Sequence, residues 1–332
     1  MTVVALLLLG PLLSAAFVPP HPALAASRNI ILINTDDLDA DSLRSMPNVS
    51  SLLAQRGASF TQFIVAAPDC CPSRASLLRG QYVHDHGILR GSNKFGEGKF
   101  RSRGLEDSTI ATWLRRAGYR TALVGKYLNG YADDPTHVPP GWTEWYATFS
   151  NQYFDYQINE NGKLVSYGSK AKDYQTDVLS QKSVSFIRRS AKSKKRFFLY
   201  LTPSAPHGPA TPAPRHESLF AEATAPRTAS FNEDVSDKPE HIRAASSLTQ
   251  TDVDAIDERY RDRLRALQAV DEMVAKIVKT LKDTGTWSDT YIFFTSDNGY
   301  LLGQHHQTDK GIPYEEAITV PLLVRGPGIA AG

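Results

Sequence analysis

Asp36-Asp37, Asp297-Asn298-Gly299, Lys126, His207 and the adjacent Cys70-Cys71 are the residues of this chain whose types could do chemistry together. Asp36, Asp37, Asp297 and Asn298 supply hard oxygen ligands of the kind that Ca²⁺ or Mg²⁺ prefers. Three carboxylates crowded without a counterion would be costly to bury or would take up protons, so a divalent-cation site is the better reading of the set. In Cys70-Cys71-Pro72-Ser73-Arg74-Ala75-Ser76-Leu77-Leu78-Arg79-Gly80, Pro72 suits the first turn of a helix and Gly80 its end. Cys70 then stands at a helix N-terminus, where unpaired N–H groups and the dipole attract anions. Arg74 projects from the same turn and can fork onto a tetrahedral oxyanion. An anion, a cation and a reactive sulfur would therefore meet in one place. Taken singly, each motif has a plainer reading. Asp36-Asp37 could be a helix cap, Asp297-Asn298-Gly299 a turn, and Lys126 and His207 surface residues.

The elements around these residues must position them. Apolar, β-rich runs at 29–34, 119–124, 197–202, 291–295 and 320–325 alternate with amphipathic stretches at 48–56, 109–117, 177–190 and 251–284. The last stretch carries Leu264, Leu267, Val270, Val274, Ile277, Val278 and Leu281 at helical spacing. The apolar runs show no alternation, as expected of strands buried on both faces. The pattern predicts an α/β fold, a mostly parallel central sheet with helices on both faces. Asp36-Asp37 follows the first run, Gly125-Lys126 the second, and Asp297-Asn298-Gly299 the fourth, with Pro206-His207 just beyond the third. In an open α/β sheet all four motifs share the edge formed by the carboxyl ends of the strands, where ligands bind. The stretch 203–250, rich in Pro, Ala, Ser and charge, is expected to be a long excursion without regular structure.

The 332 residues, with 41% hydrophobic and 22% charged side chains, exclude disordered and fibrous classes. A formal charge of +2 argues against a field built for nucleic acid or an anionic membrane. The dense basic run Lys192, Lys194, Lys195 and Arg196 reads as a solvated helix end. Residues 3–18 are almost wholly apolar, and Ala23-Leu24-Ala25 has the form of a signal-peptidase site. The expected division is a signal peptide at 1–25 and a catalytic domain at 26–332, exported and without stable membrane insertion after cleavage. Asn48-Val49-Ser50 is a glycosylation sequon that fits export. The only two cysteines are neighbours, a placement that rarely forms a disulfide, so they invite a chemical explanation.

Cys70-x-Pro72-Ser73-Arg74 and the Ala-Ser-Leu-Leu-x-Gly segment after it resemble the signature of the formylglycine-dependent sulfatases, within the alkaline phosphatase-like superfamily. The motif order is similar to that family over most of the chain, and most of all to its N-acetylglucosamine-6-sulfatase and arylsulfatase branch. The carriers are Thr35-Asp36-Asp37, Gly125-Lys126-Tyr127-Leu128-Asn129, Gly141-Trp142, Ala205-Pro206-His207, Thr295-Ser296-Asp297-Asn298-Gly299-Tyr300 and Val320-Pro321-Leu322-Leu323-Val324. The resemblance implies that a formylglycine-generating enzyme oxidises Cys70 to formylglycine. It also implies that Asp36, Asp37, Asp297 and Asn298 hold Ca²⁺, rather than Mg²⁺, in contact with the modified Cys70. Arg74, Lys126, His207 and Lys310 would surround the sulfate of a sulfated sugar or aryl sulfate. One hydroxyl of the hydrated aldehyde would attack sulfur, His207 or Lys310 would protonate the leaving oxygen, and the second hydroxyl would expel sulfate.

Many sulfatases carry a histidine where this chain has Leu128, so Asn129, His84 or His86 is a candidate to replace its contact. His305 and His306 precede Lys310 and have no assigned role, and Cys71 reads as a small buried neighbour. The resemblance further implies a smaller C-terminal subdomain that these residues do not include, with 320–325 left as a possible exposed edge strand. Two rival readings are a phosphate or phosphonate monoester hydrolase of the same superfamily and a non-catalytic sulfated-glycan-binding relative. An oxidisable cysteine beside intact metal ligands argues against the second.

Overall fold

The apolar run predicted at 29–34 forms β1 (Asn29–Thr35), near the middle of a nine-stranded sheet. The computed structural model describes residues 28–91 and 95–332. The expected signal peptide lies outside the described residues. Among the described residues no helix is long and apolar enough to cross a membrane.

In chain order the other strands of this sheet are β2 (Ala58–Phe60), β3 (Arg120–Lys126), β4 (Glu144–Thr148), β5 (Tyr156–Glu160), β6 (Lys163–Tyr167), β7 (Phe197–Thr202) and β8 (Thr290–Ser296). A separate two-stranded ribbon pairs β9 (Leu301–Leu302) with β10 (Thr308–Asp309), and β11 (Leu322–Arg325) returns to the main sheet. The order across the main sheet is β2-β11-β8-β1-β7-β3-β4-β5-β6. β8, β1, β7, β3 and β4 are mutually parallel. The flanking strands β11, β2, β5 and β6 pair antiparallel. The strand expected as an exposed edge is therefore covered. β11 lies between β8 and β2, and the short β2, with Phe60 half exposed, forms that edge instead.

Helices cover both faces, which explains why the central runs are apolar without alternation. Successive strand residues point to opposite faces. Ile31, Ile33, Leu199, Leu201, Ile292 and Phe294 pack with Val178, Phe186, Leu267, Val270, Val274 and Ile277. These belong to two long helices, Gln175–Lys192 and Gln250–Asp283. The alternate residues Leu123, Trp145, Phe198 and Tyr200 pack on the other face with Cys71, Ala75 and Leu78 of the helix Cys70–Arg79. The helix Gln250–Asp283 is capped by Thr249, whose side chain and that of Asp252 cap one another's backbone N–H groups.

Before the long helix starts at Gln250, the stretch 203–250 contains a single 3-10 turn, Pro214–His216, and one short helix, Glu240–Arg243. The side-chain amide of Asn48 in the sequon donates to Asp271 Oδ2 of the helix Gln250–Asp283 at 2.6 Å. Lys192, Lys194, Lys195 and Arg196 are exposed, as a solvated helix end requires.

Candidate active site

The carboxyl ends of the parallel strands bring the predicted residues together. Asp36 and Asp37 follow β1, and Asp297 and Asn298 follow its neighbour β8. The two turns are stitched to each other. The Asp297 N–H donates to Thr35 O at 3.1 Å, and the Asp37 N–H donates to Asp297 Oδ1 at the same distance. Ser296 Oγ accepts from the Leu38 N–H at 2.8 Å and donates to Asn298 O at 2.8 Å. Gly125-Lys126, expected just after the second strand, are instead the last residues of β3. Gly125 has φ of 120°, and a Cβ there would lie 2.0 Å from Thr202 O on β7, so only glycine permits this close approach.

The helix Cys70–Arg79 aims its first residue at the same edge. The Ser73 N–H donates to Asp69 O at 3.1 Å, and Gly80 ends the helix in the left-handed region with φ of 60°. Cys70 and Cys71 are both free and buried, so they form no disulfide. Cys70 Sγ lies 3.4 Å from Asp36 Oδ1 and 3.8 Å from Asp37 Oδ1. Lys310 Nζ lies 2.8 Å from the same sulfur and also bonds Asp37 Oδ1.

Around this sulfur the cations are arranged in a ring. Lys126 Nζ reaches Asp36 Oδ2 at 2.5 Å. Arg74 Nε donates to Asp297 Oδ2 at 2.7 Å, its Nη1 to Lys126 O at 3.0 Å, and its Nη2 stands 3.7 Å from Asp36 Oδ2. His207 Nε2 is 3.8 Å from Asp37 Oδ2 and 3.3 Å from Asn151 Nδ2. The surface reading of Lys126 fails, since the residue is 7% exposed.

The electrostatics follow from this crowding. Burial opposes ionisation of Asp36, but Lys126, His207, Arg74 and Lys310 together hold it well below the usual carboxylate range. Asp297 is pushed up by burial and by the charge of Asp36, with Arg74 opposing. Burial disfavours the Lys310 and Lys126 ammonium groups, yet Asp37 and Asp36 respectively raise both, so each stays charged at neutral pH. Burial and Asp36 push the Cys70 thiol up.

The donor set fits a hard divalent cation. Asp36, Asp37, Cys70 and His207 each place a ligand atom within 4.8 Å of the others. Asn298 Oδ1 is buried with no hydrogen-bond partner among the described residues, while its Nδ2 donates to Asp37 Oδ1 at 2.7 Å. An orphaned amide oxygen beside three carboxylates is what a cation-binding cleft presents.

The sulfatase family model matches residues 28–332. This chain belongs to the sulfatase family. It is 39% identical over 316 residues to the N-acetylglucosamine-6-sulfatase of Homo sapiens, covering 91% of this chain and 56% of that protein. It is also 39% identical over 311 residues to the extracellular sulfatase SULF-1 homolog of Drosophila melanogaster, covering 91% of this chain and 28% of that protein. This sulfatase chain thus spans about half, or less, of the length of these curated relatives. The solved structure of BT4656 in complex with its substrate D-glucosamine-2-N,6-O-disulfate matches with a TM-score of 0.76 at 24% identity, covering 92% of this chain and 72% of that one. That likeness shows the shared fold.

His84, His86, His305 and His306 of this sulfatase have partners other than Cys70 and its carboxylates. His84 is exposed and stacks on Tyr82. His86 is buried, with Nε2 2.9 Å from Ser76 Oγ and Nδ1 accepting from the Ile88 N–H. His305 bonds Glu233 and stacks on Tyr314, and His306 Nδ1 lies 3.2 Å from Ala245 O. Asn129 packs beside Gly91, and its carbonyl accepts from the Glu97 N–H.

One residue of the site escapes sequence reasoning. Arg263, 1% exposed, donates through Nη2 to Asp37 O at 2.5 Å and to Asp39 Oδ2 at 2.9 Å. Its Nη1 reaches Pro206 O at 3.4 Å, and its guanidinium lies 4.1 Å from the Tyr300 ring centre. It therefore braces the turns after β1, β7 and β8 from behind. The available signal was an arginine on the apolar stripe of a helix, between Tyr260 and Leu267. Arg263→Lys keeps the charge but loses the planar fork. Steady-state kinetics should show kcat falling roughly 10- to 100-fold with a smaller change in KM, as for other residues that orient ligands from behind.

Proposed function

We propose that the intact protein hydrolyses a sulfate monoester, acting on a sulfated sugar such as 6-sulfated N-acetylglucosamine of glycosaminoglycans, or on an aryl sulfate. The observation that carries this reading is Cys70 Sγ at a helix N-terminus, 3.4 Å from Asp36 and 2.8 Å from Lys310. Arg74 and Lys126 lie in the same cleft. Support comes also from the family membership and from the names of the relatives. Formylglycine at position 70, made from the thiol by a formylglycine-generating enzyme, would supply a nucleophile that regenerates itself. Ca²⁺ held by Asp36, Asp37, Asp297 and Asn298 would supply positive charge beside that nucleophile.

The chain's own residues do the rest. Arg74, Lys126, Lys310 and His207 hold the three outer oxygens of the sulfate and the negative charge that grows on them. Their ammonium and guanidinium groups are fixed by Asp36, Asp37 and Asp297 before substrate arrives, so little reorganisation accompanies the reaction. Lys310 or a protonated His207 gives a proton to the departing alcohol. The site lies in an exported protein, a reading supported by the apolar segment at 3–18 and by relatives named as extracellular sulfatases.

Release of 4-nitrophenol from its sulfate, phosphate and phosphonate esters tests the reaction class, using protein coexpressed with a formylglycine-generating enzyme. The expected result is a kcat/KM for the sulfate ester at least about tenfold above the other two, lost on chelation and restored by Ca²⁺. A phosphoryl preference would replace this reading with the rival hydrolase. Glycan binding without release of sulfate would point to a non-catalytic relative.

A further inference from the structure

The structure assigns a second cation site to Glu97, Glu106 and His137, of the mixed carboxylate and imidazole type that suits a borderline divalent ion such as Zn²⁺. Glu97 opens the short helix Glu97–Ser102, Glu106 sits in the 3-10 turn Leu105–Asp107, and His137 lies between β3 and β4. One ligand atom from each lies within 4.8 Å of the other two. In a tetrahedral zinc site with bonds of ~2.0–2.1 Å the ligand atoms stand about 3.3 Å apart, a spacing between the 2.8 Å of the His137–Glu106 pair and the 4.8 Å within which all three atoms fall.

Two features separate this group from an ordinary ion pair. Glu106 is already oriented on both oxygens, with His137 Nε2 2.8 Å from Oε2 and the Tyr127 hydroxyl donating to Oε1 at 3.2 Å. The Tyr127 contact is of the outer kind that holds a metal-ligating carboxylate in place, while the His137 contact brings two of the three ligands together. Glu97, by contrast, is 3% exposed and its Oε1 has no hydrogen-bond partner among the described residues. A bond between Glu106 and His137 leaves that carboxylate unsatisfied, whereas a cation among the three would take one atom from each. The His137 side chain is 17% exposed, which leaves an ion a way in. Without a cation, burial and the charge of Glu106 push Glu97 up to about 7, so the competing occupant is a proton. This site does not depend on the hydrolytic reading of the cleft.

Co²⁺ is the probe, because its visible absorption reports the ligands directly. The protein is first saturated with Ca²⁺ to fill the cleft and then titrated with Co²⁺ at pH 7.5. One equivalent should bind with the absorption bands of a low-coordinate site, be displaced by Zn²⁺, and raise Tm by roughly 4 °C at a hundredfold excess over Kd. Glu97→Gln and His137→Ala should each weaken it at least about tenfold, while Cys70→Ala leaves it unchanged. Glu97→Gln nearly preserves shape, so its folding is checked by an unaltered circular dichroism spectrum. Absence of the equivalent in the wild-type protein, or equal affinity in folded Glu97→Gln, would overturn the assignment and leave Glu97 as a buried neutral acid.

Discussion

Replacing Cys70 by alanine or serine is expected to lower sulfate ester hydrolysis by roughly 10⁴-fold or more, since a nucleophile acts as a unit with its surroundings. Both side chains fit the space, because Cys70 is a small residue in the first turn of a helix whose ends are set by Pro72 and Gly80. The thermal transition should therefore move little. The two variants are expected to differ in a telling way. Alanine offers nothing to the sulfate, whereas serine presents one hydroxyl in the ring of Lys126, Lys310 and Arg74. A serine that attacked sulfur would stop as a sulfate ester, having no second hydroxyl with which to expel the group. Intact-mass measurement after incubation with 4-nitrophenyl sulfate should then find the serine variant carrying one sulfate and the alanine variant none. Sustained turnover by the serine variant at the wild-type rate would sink the formylglycine reading.

Arg74→Met is expected to damage both stability and catalysis. Arg74 is 1% exposed and stands between two buried carboxylates, 2.7 Å from Asp297 and 3.7 Å from Asp36. Burial alone would favour the neutral guanidine, but Asp297 and Asp36 more than offset it and raise its pKa. Removing one partner of such a buried group leaves the other charged and unpaired, which typically costs about 3–5 kcal/mol. For a chain of this size that corresponds to a fall in Tm of roughly 5–8 °C, measured by calorimetry at saturating Ca²⁺. Activity should fall by about 10²- to 10³-fold besides, as when one fixed donor to a developing charge is removed.

The pH dependence gives a further reading of the same variant. Asp36 has its pKa lowered in the folded state, so its contribution to stability is present above the ordinary carboxylate range. That contribution is lost as pH falls through the lowered value. Without Arg74 the lowering is smaller, so the contribution is smaller and its loss on acidification should be complete at a higher pH. An Arg74→Met protein as stable and active as the wild type would show that Lys126 and Lys310 suffice.

The local signals were strong wherever the physics is local. β1, β7 and β8 were readable because a strand covered on both faces needs an unbroken apolar run, and theirs are Asn29–Thr35, Phe197–Thr202 and Thr290–Ser296. The helix Cys70–Arg79 was readable because proline and glycine mark its ends by their own backbone preferences. Asp36, Asp37, Lys126, His207, Asp297 and Asn298 could be placed at one edge because each follows or ends a strand. The meander β4 to β6 was missed, since Glu144–Thr148 mixes charge with aromatics and Lys163–Tyr167 is largely exposed. The short β2, whose three residues cover β11, gives too little pattern to register.

What the sequence by itself determined is the set of chemical groups and the side of the sheet on which they stand. Only the tertiary structure decided their contacts. That β7 comes to lie between β1 and β3, with β8 on the far side of β1, results from long crossovers whose packing no local window contains. Lys310 reaches Cys70 across 240 positions of chain, and Arg263 reaches Asp37 across 226. His84 and His86, close to Cys70 in sequence, turn to the surface and to Ser76 instead. Distance along the chain says little about distance in space, because burial of the apolar sheet faces, and not the polar groups themselves, dictates which loops meet.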